Sequence, residues 1–147
     1  MKIRVLMPAA FLIIAIILIA ACGDRDSRLS ITPEIDEYTP AMSSVPGIGL
    51  IAGFSRDLKN KDYKFHWVAE RGTFLKWHDG GKGRIEVLGN DIKTNEHKVY
   101  WTVDPDENIS EKSFLVYLTV EEIDTSEVMY ETSIRIDQDR EGYFSIK

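Results

Sequence analysis

The chain has 147 residues, with 18 Lys and Arg against 24 Asp and Glu, a formal net charge of −6, and a single cysteine, Cys22. An acidic balance speaks against nucleic acid as a partner, because phosphates must be neutralised by Lys and Arg. One cysteine excludes an intrachain disulfide, so a folded domain here is held by its core, which about 100 residues can supply.

Lys2 and Arg4 give a basic start, and residues 5–21 carry no charge. Spanning a bilayer takes about 20 apolar residues, with a lower limit near 17. The stretch only reaches that limit, and Pro8 interrupts it, leaving 9–21 as its continuous core. A basic start followed by about 7–15 apolar residues is the pattern of a cleaved signal peptide. The stretch ends in Ile19, Ala20, Ala21 and Cys22. This run resembles the lipobox of bacterial lipoproteins: an aliphatic residue, two small residues that let a peptidase grip extended backbone, and a cysteine whose thiol accepts a diacylglyceryl group. The resemblance implies removal of residues 1–21 and a lipid-anchored protein on the extracytoplasmic face of a bacterial membrane, attached through Cys22. Two acyl chains anchor stably, at about 0.8 kcal/mol per buried CH₂. Gly23 follows the cysteine, so the aspartate that often marks inner-membrane retention is missing there. Removing Lys2 and Arg4 leaves the mature chain more acidic, so the expected membrane link is the lipid rather than an electrostatic grip on anionic headgroups.

Residues 23–30 are polar and charged without an apolar period, and Pro33, Pro40, Ser43, Ser44 and Pro46 punctuate the next stretch. Residues 22–46 therefore read as the lipidated cysteine and a flexible tether, whose 24 residues from Gly23 would have an end-to-end distance of roughly 27 Å.

From Gly47 to the end the apolar period is two. Ile48, Leu50, Ala52 and Phe54 alternate with smaller or polar residues, as do Tyr63, Phe65 and Trp67, then Val99, Trp101 and Val103. Phe114, Val116, Leu118 and Val120 repeat the pattern, followed by Val128, Tyr130, Thr132, Ile134 and Ile136; residues 143–146 are a candidate closing strand. Alternation rich in β-branched and aromatic residues is what half-buried strands require. Turn chemistry separates the runs at 57–62, 78–83, 89–96, 104–112 and 137–142. No amphipathic helix competes. About seven short strands at this spacing predict an all-β, immunoglobulin-like antiparallel β-sandwich over residues 47–147.

Three stretches carry a further likeness: Tyr63 to Gly72 with its aromatic-x-Trp strand and glycine turn, Val99 to Val103, and Phe114 to Val120 before a polar turn at Asp124, Thr125 and Ser126. Together they resemble a bacterial PKD-type immunoglobulin-like domain across 48–136. The Trp-Asp-Phe-Gly-Asp-Gly core of typical PKD repeats is absent, since Val68, Ala69, Glu70 and Arg71 follow Trp67. The resemblance implies a spacer or binding module at the cell surface, with Trp67 packed between the sheets.

No motif for chemistry emerges. His66, His78 and His97 have no metal-ligand spacing, and His66, opposite Trp67 in parity, is expected to face solvent. The acidic runs at 104–108 and 137–142 lack the terminal glutamate of a calcium loop. The glycine-rich run 79–83 lacks the Ser or Thr and the helix of a phosphate loop. No nucleophile elbow is present, so neither catalytic residue nor cofactor is assigned. Aromatic rings offer more. Phe74 and Trp77 have opposite parity and cannot both face the core of a regular strand, while Tyr100 and Tyr117 lie opposite Trp101 and Val116. Phe74, Trp77, Tyr100 and Tyr117 are therefore the candidate ligand-binding residues, for a protein, peptide or glycan of the envelope. The expected function is a non-enzymatic binding or structural module, with an accessory or sensory subunit of a membrane complex as the alternative.

Overall fold

The computed structural model describes residues 29–42, 44–54, 62–78, 83–104 and 112–147. Cys22, the lipobox and the leader lie outside these residues, as do 105–111 and most of the glycine-rich run at 79–83. The described residues form eleven strands: β1 (Leu29–Pro33), β2 (Glu37–Tyr38), β3 (Ile48–Phe54), β4 (Tyr63–Ala69), β5 (Thr73–His78), β6 (Arg84–Gly89), β7 (Asp91–Thr94), β8 (Lys98–Thr102), β9 (Ser113–Glu122), β10 (Val128–Gln138) and β11 (Phe144–Ile146). They build two sheets, ordered β1-β3-β8-β5-β6 and β2-β11-β10-β9-β4-β7, with every pairing antiparallel. The chain is an all-β sandwich. Eleven strands exceed the about seven expected: β1, β3, β8 and β5 follow the order A, B, E and D of an immunoglobulin sandwich and β4, β9 and β10 that of C, F and G, whereas β2, β6, β7 and β11 lie outside that set.

The alternating runs behave as period two requires. Ile48, Leu50 and Ala52 of β3, Phe65 and Trp67 of β4, Val99 and Trp101 of β8, and Phe114, Val116, Leu118 and Val120 of β9 are all buried between the sheets. Trp67 is fully buried, with its ring centroid 6.1 Å from that of Phe74. A second aromatic group joins Trp101 to Phe114 and Phe144, each 5.3 Å away. The Trp101 indole donates to the Arg71 carbonyl at 2.8 Å. That bond depends on Gly72, whose φ of 77° is unfavourable for any side chain and whose missing Cβ leaves room for the Trp101 ring.

Two expectations need correction. The tether does not extend to Pro46. From Leu29 onward the chain belongs to the sandwich: β1 pairs with β3 from Leu29↔Phe54 to Pro33↔Leu50, and β2 pairs with β11. Leu29 and Tyr38 are buried core residues, and the Tyr38 hydroxyl lies 2.8 Å from Thr102 Oγ1. Pro33 falls at the end of an edge strand, where its missing N–H costs no ladder bond. The second correction concerns 89–96, expected as a turn, because residues 91–94 form β7 at the edge beside β4.

Candidate functional site

The β5–β6 hairpin departs from the polarity of the rest of the fold. In a sandwich the apolar positions of each strand face inward. Phe74, paired with Trp101, obeys this rule and is fully buried. Beyond it the inward positions are Lys76, His78, Arg84 and Glu86, while the apolar residues Leu75, Trp77, Ile85 and Val87 take the outer face. Register fixes this: Leu75 pairs with Val87 and Tyr100, and Trp77 with Ile85, so all five share one side of the sheet. A bulge between Phe74 and Leu75, at Leu88 of the partner strand, lets the hairpin end in this orientation.

The outer face is a built surface. The Trp77 and Tyr100 rings meet edge to face, with centroids 5.8 Å apart at 68°. Leu75, at 6 % exposure, forms the floor, whereas Trp77, Ile85 and Val87 stand 38, 49 and 70 % exposed. Lys98 closes one side, its Nζ 4.6 Å from the Tyr100 centroid and donating to Glu34 Oε1 at 2.7 Å. Partial burial pulls the Lys98 pKa down, but hydrogen bonds to Glu34 and Tyr100 outweigh it and raise it overall. Gly49 makes room for this arrangement, because a Cβ there would collide with the Glu34 carboxylate.

The charged face of the same hairpin borders an open cleft of about 380 Å³ between the sheets, lined by Lys76, Glu86, Leu88, Ile92, Glu96 and Val99. Its charges are internally matched. Lys76 pairs with Glu96, and His78 Nε2 lies 2.9 Å from Glu86 Oε2. The hydrogen bond from His78 is the main reason the Glu86 carboxyl sits below its usual range.

Of the four aromatic candidates, Trp77 and Tyr100 come together. Phe74 does not belong with them: it is buried against Trp67 and touches no surface. Tyr117 lies on the outer face of the other sheet, on the far side of the sandwich, where its hydroxyl donates to Glu70 at 3.1 Å. That bond raises its phenol pKa. The aliphatic members Ile85 and Val87 were not among the candidates, because the alternating runs recognised in the sequence leave out residues 84–88.

The outer face of the β4–β9 sheet carries a different feature. His66 sits there, as expected from parity, half-buried between two carboxylates. Its Nδ1 lies 2.7 Å from Glu121 Oε1 and its Nε2 2.7 Å from Asp91 Oδ1. Lys93 donates to Glu121 Oε2 at 2.7 Å. Glu121 is only 4 % exposed. Burial would raise its carboxyl, but hydrogen bonds from Lys93 and His66, with their charges, outweigh this and hold it below the ordinary value. Both imidazole nitrogens lie within hydrogen-bond distance of a carboxylate oxygen, which fixes the orientation of the ring. The arrangement clamps β7 and β9 to β4. Among the described residues no group of three or more His, Cys, Asp or Glu side chains is placed to hold a metal ion. At the 137–142 turn, Asp139 Oδ1 is taken by the backbone N–H groups of Glu141 and Tyr143. Among the described residues, the outer face of the β5–β6 hairpin gathers three of the exposed large hydrophobic side chains, Trp77, Ile85 and Val87.

Comparison of the chain with family models, with curated proteins and with solved structures finds no match in any of the three.

Proposed function

We propose that this chain is a lipid-anchored, extracytoplasmic binding module of the bacterial envelope, held by Cys22 and engaging its partner through the outer face of the β5–β6 hairpin. One observation carries the binding reading: the hairpin turns Trp77, Ile85 and Val87 toward solvent and its charges inward. Exposing a contiguous apolar surface costs free energy in water, about 25 cal/mol per Å², and such patches mark interaction sites. The lipobox run at 19–22 supports the anchor, and the immunoglobulin-like sandwich suits a non-enzymatic role, since fold alone carries no chemistry.

The early start of β1 favours one version of this reading. Residues 23–28 separate Cys22 from Leu29 and reach at most about 25 Å when fully extended. A domain on so short a leash meets partners at or in its own membrane, which supports an accessory subunit docked on a membrane complex.

Two measurements test the proposal. Cys22→Ala abolishes lipid labelling and leaves an unprocessed precursor; a normally processed, membrane-bound variant refutes the anchor. A photo-crosslinking residue at Val87 gives a discrete adduct to a different protein, distinguished by mass from a dimer of this chain, in intact cells, whereas one at Tyr117 does not. Equal adducts from both faces, or none from Val87, refute the hairpin face as the binding surface.

A further inference from the structure

Among the described residues the sandwich has four edge strands, and β6 differs from the others. β2 has two residues, β1 ends in Pro33, and β7 is four residues long with Asp91 and Lys93 tied to the His66 group. β6 has six residues, two of them exposed aliphatics, and no proline. An edge strand presents unpaired backbone N–H and C=O groups that template pairing with another strand. Charges on the inward face of an edge normally guard it, and Arg84 and Glu86 hold such positions here.

Those charges do not block every pairing; they select one. In an antiparallel pair, residues directly opposite each other share a face, so a twofold axis relating two β6 strands passes through a residue position. Centred on Arg84 or on Glu86, it sets a like charge against itself. Centred on Val87, it sets Glu86 opposite Leu88 and Arg84 opposite Asn90, so neither charge meets an opposite one. Centred on Ile85, it sets Arg84 opposite Glu86 of the second copy, twice by symmetry, and Ile85 against Ile85. Only that register matches opposite charges on one face and apolar side chains on the other.

We infer that β6 is a self-pairing edge: two copies of this chain join β6 to β6 antiparallel about a twofold axis at Ile85. The two five-stranded sheets become one continuous sheet, and the Trp77, Ile85 and Val87 patches of both copies lie side by side on the same face. The pairing goes beyond the binding reading and stands whether or not a further partner covers the patch. Two charge pairs and one aliphatic contact make a weak association, which confinement of tethered copies to one membrane strengthens through effective concentration.

The experiment uses the full-length chain in its own membrane under mild oxidation. Ile85→Cys forms a disulfide-linked dimer, Val87→Cys does not, and the wild type, whose one cysteine is Cys22, sets the background. Added to Ile85→Cys, Arg84→Glu alone or Glu86→Arg alone lowers the dimer yield about tenfold, and the two together restore it. Absence of the Ile85→Cys dimer overturns the inference and leaves β6 to a strand of another protein. Equal cross-linking by Val87→Cys overturns the register, and failure of the double exchange to restore the dimer overturns the role of the charges. None of these results bears on the Val87 adduct to a different protein, so the two proposals fail separately.

Discussion

Trp67 and Trp101 are both fully buried, yet their indole N–H groups have opposite fates, and replacing each by phenylalanine separates packing from hydrogen bonding. Losing the second ring costs about 1–2 kcal/mol in either case for transfer and residual cavity. At Trp101 the change also removes the 2.8 Å bond to the Arg71 carbonyl, worth about 1 kcal/mol. At Trp67 the N–H is buried without a hydrogen-bond partner, so its removal relieves a desolvated donor and returns about 1 kcal/mol. Trp101→Phe is therefore expected to be less stable than Trp67→Phe by about 2 kcal/mol. At roughly 3–5 °C per kcal/mol for a domain of this size, the melting midpoints differ by about 6–10 °C. Thermal denaturation followed by far-ultraviolet circular dichroism reads this directly, with urea titration checking that the m-value is unchanged. Equal midpoints, or a lower one for Trp67→Phe, refute the argument that indole satisfaction distinguishes the two core tryptophans.

Other outcomes rest on the same packing. Trp67→Ala costs about 3–5 kcal/mol, whereas Trp77→Ala, on the outer face, stays below about 1 kcal/mol; equal stability of the two would invert the assignment of strand faces. Tyr38→Ala destabilises by about 3 kcal/mol because it opens the core and leaves Thr102 without its hydroxyl partner, and a neutral result would return β2 to a tether. Glu121→Gln costs about 1–2 kcal/mol at neutral pH, a figure already reduced for the 44 % exposure of Lys93. Because the folded carboxyl is held below its ordinary 4.5, its contribution is full above that pH and is lost as the pH falls through the lower folded value. The gap between wild type and variant should accordingly narrow below pH 4.5, and a gap that widens on acidification contradicts the ion-pair geometry.

Much of the sandwich could be read from the order of residues alone. Period two in β3, β4, β8 and β9, with glycine and acidic turns between them, dictated strands and named the residues that fill the core, because side chains on a pleated backbone must alternate. The same local signal failed at β1, β2 and β7. Those strands are short and punctuated by proline or charge, and they exist because an existing sheet edge offers them hydrogen bonds, a condition no neighbouring residue announces. Alternation also says that a strand has two faces without saying which one is covered. For Ile85 and Val87 the tertiary pairing decided: Phe74 and Trp101 already fill the core at that level, so register with Leu75 and Trp77 sends the aliphatics outward. The His66 to Glu121 contact likewise joins residues 55 positions apart, and only the β4–β9 register brings them within 2.7 Å. Composition and spacing determined what could be buried, and the long-range pairing of strands determined which apolar side chains were left exposed.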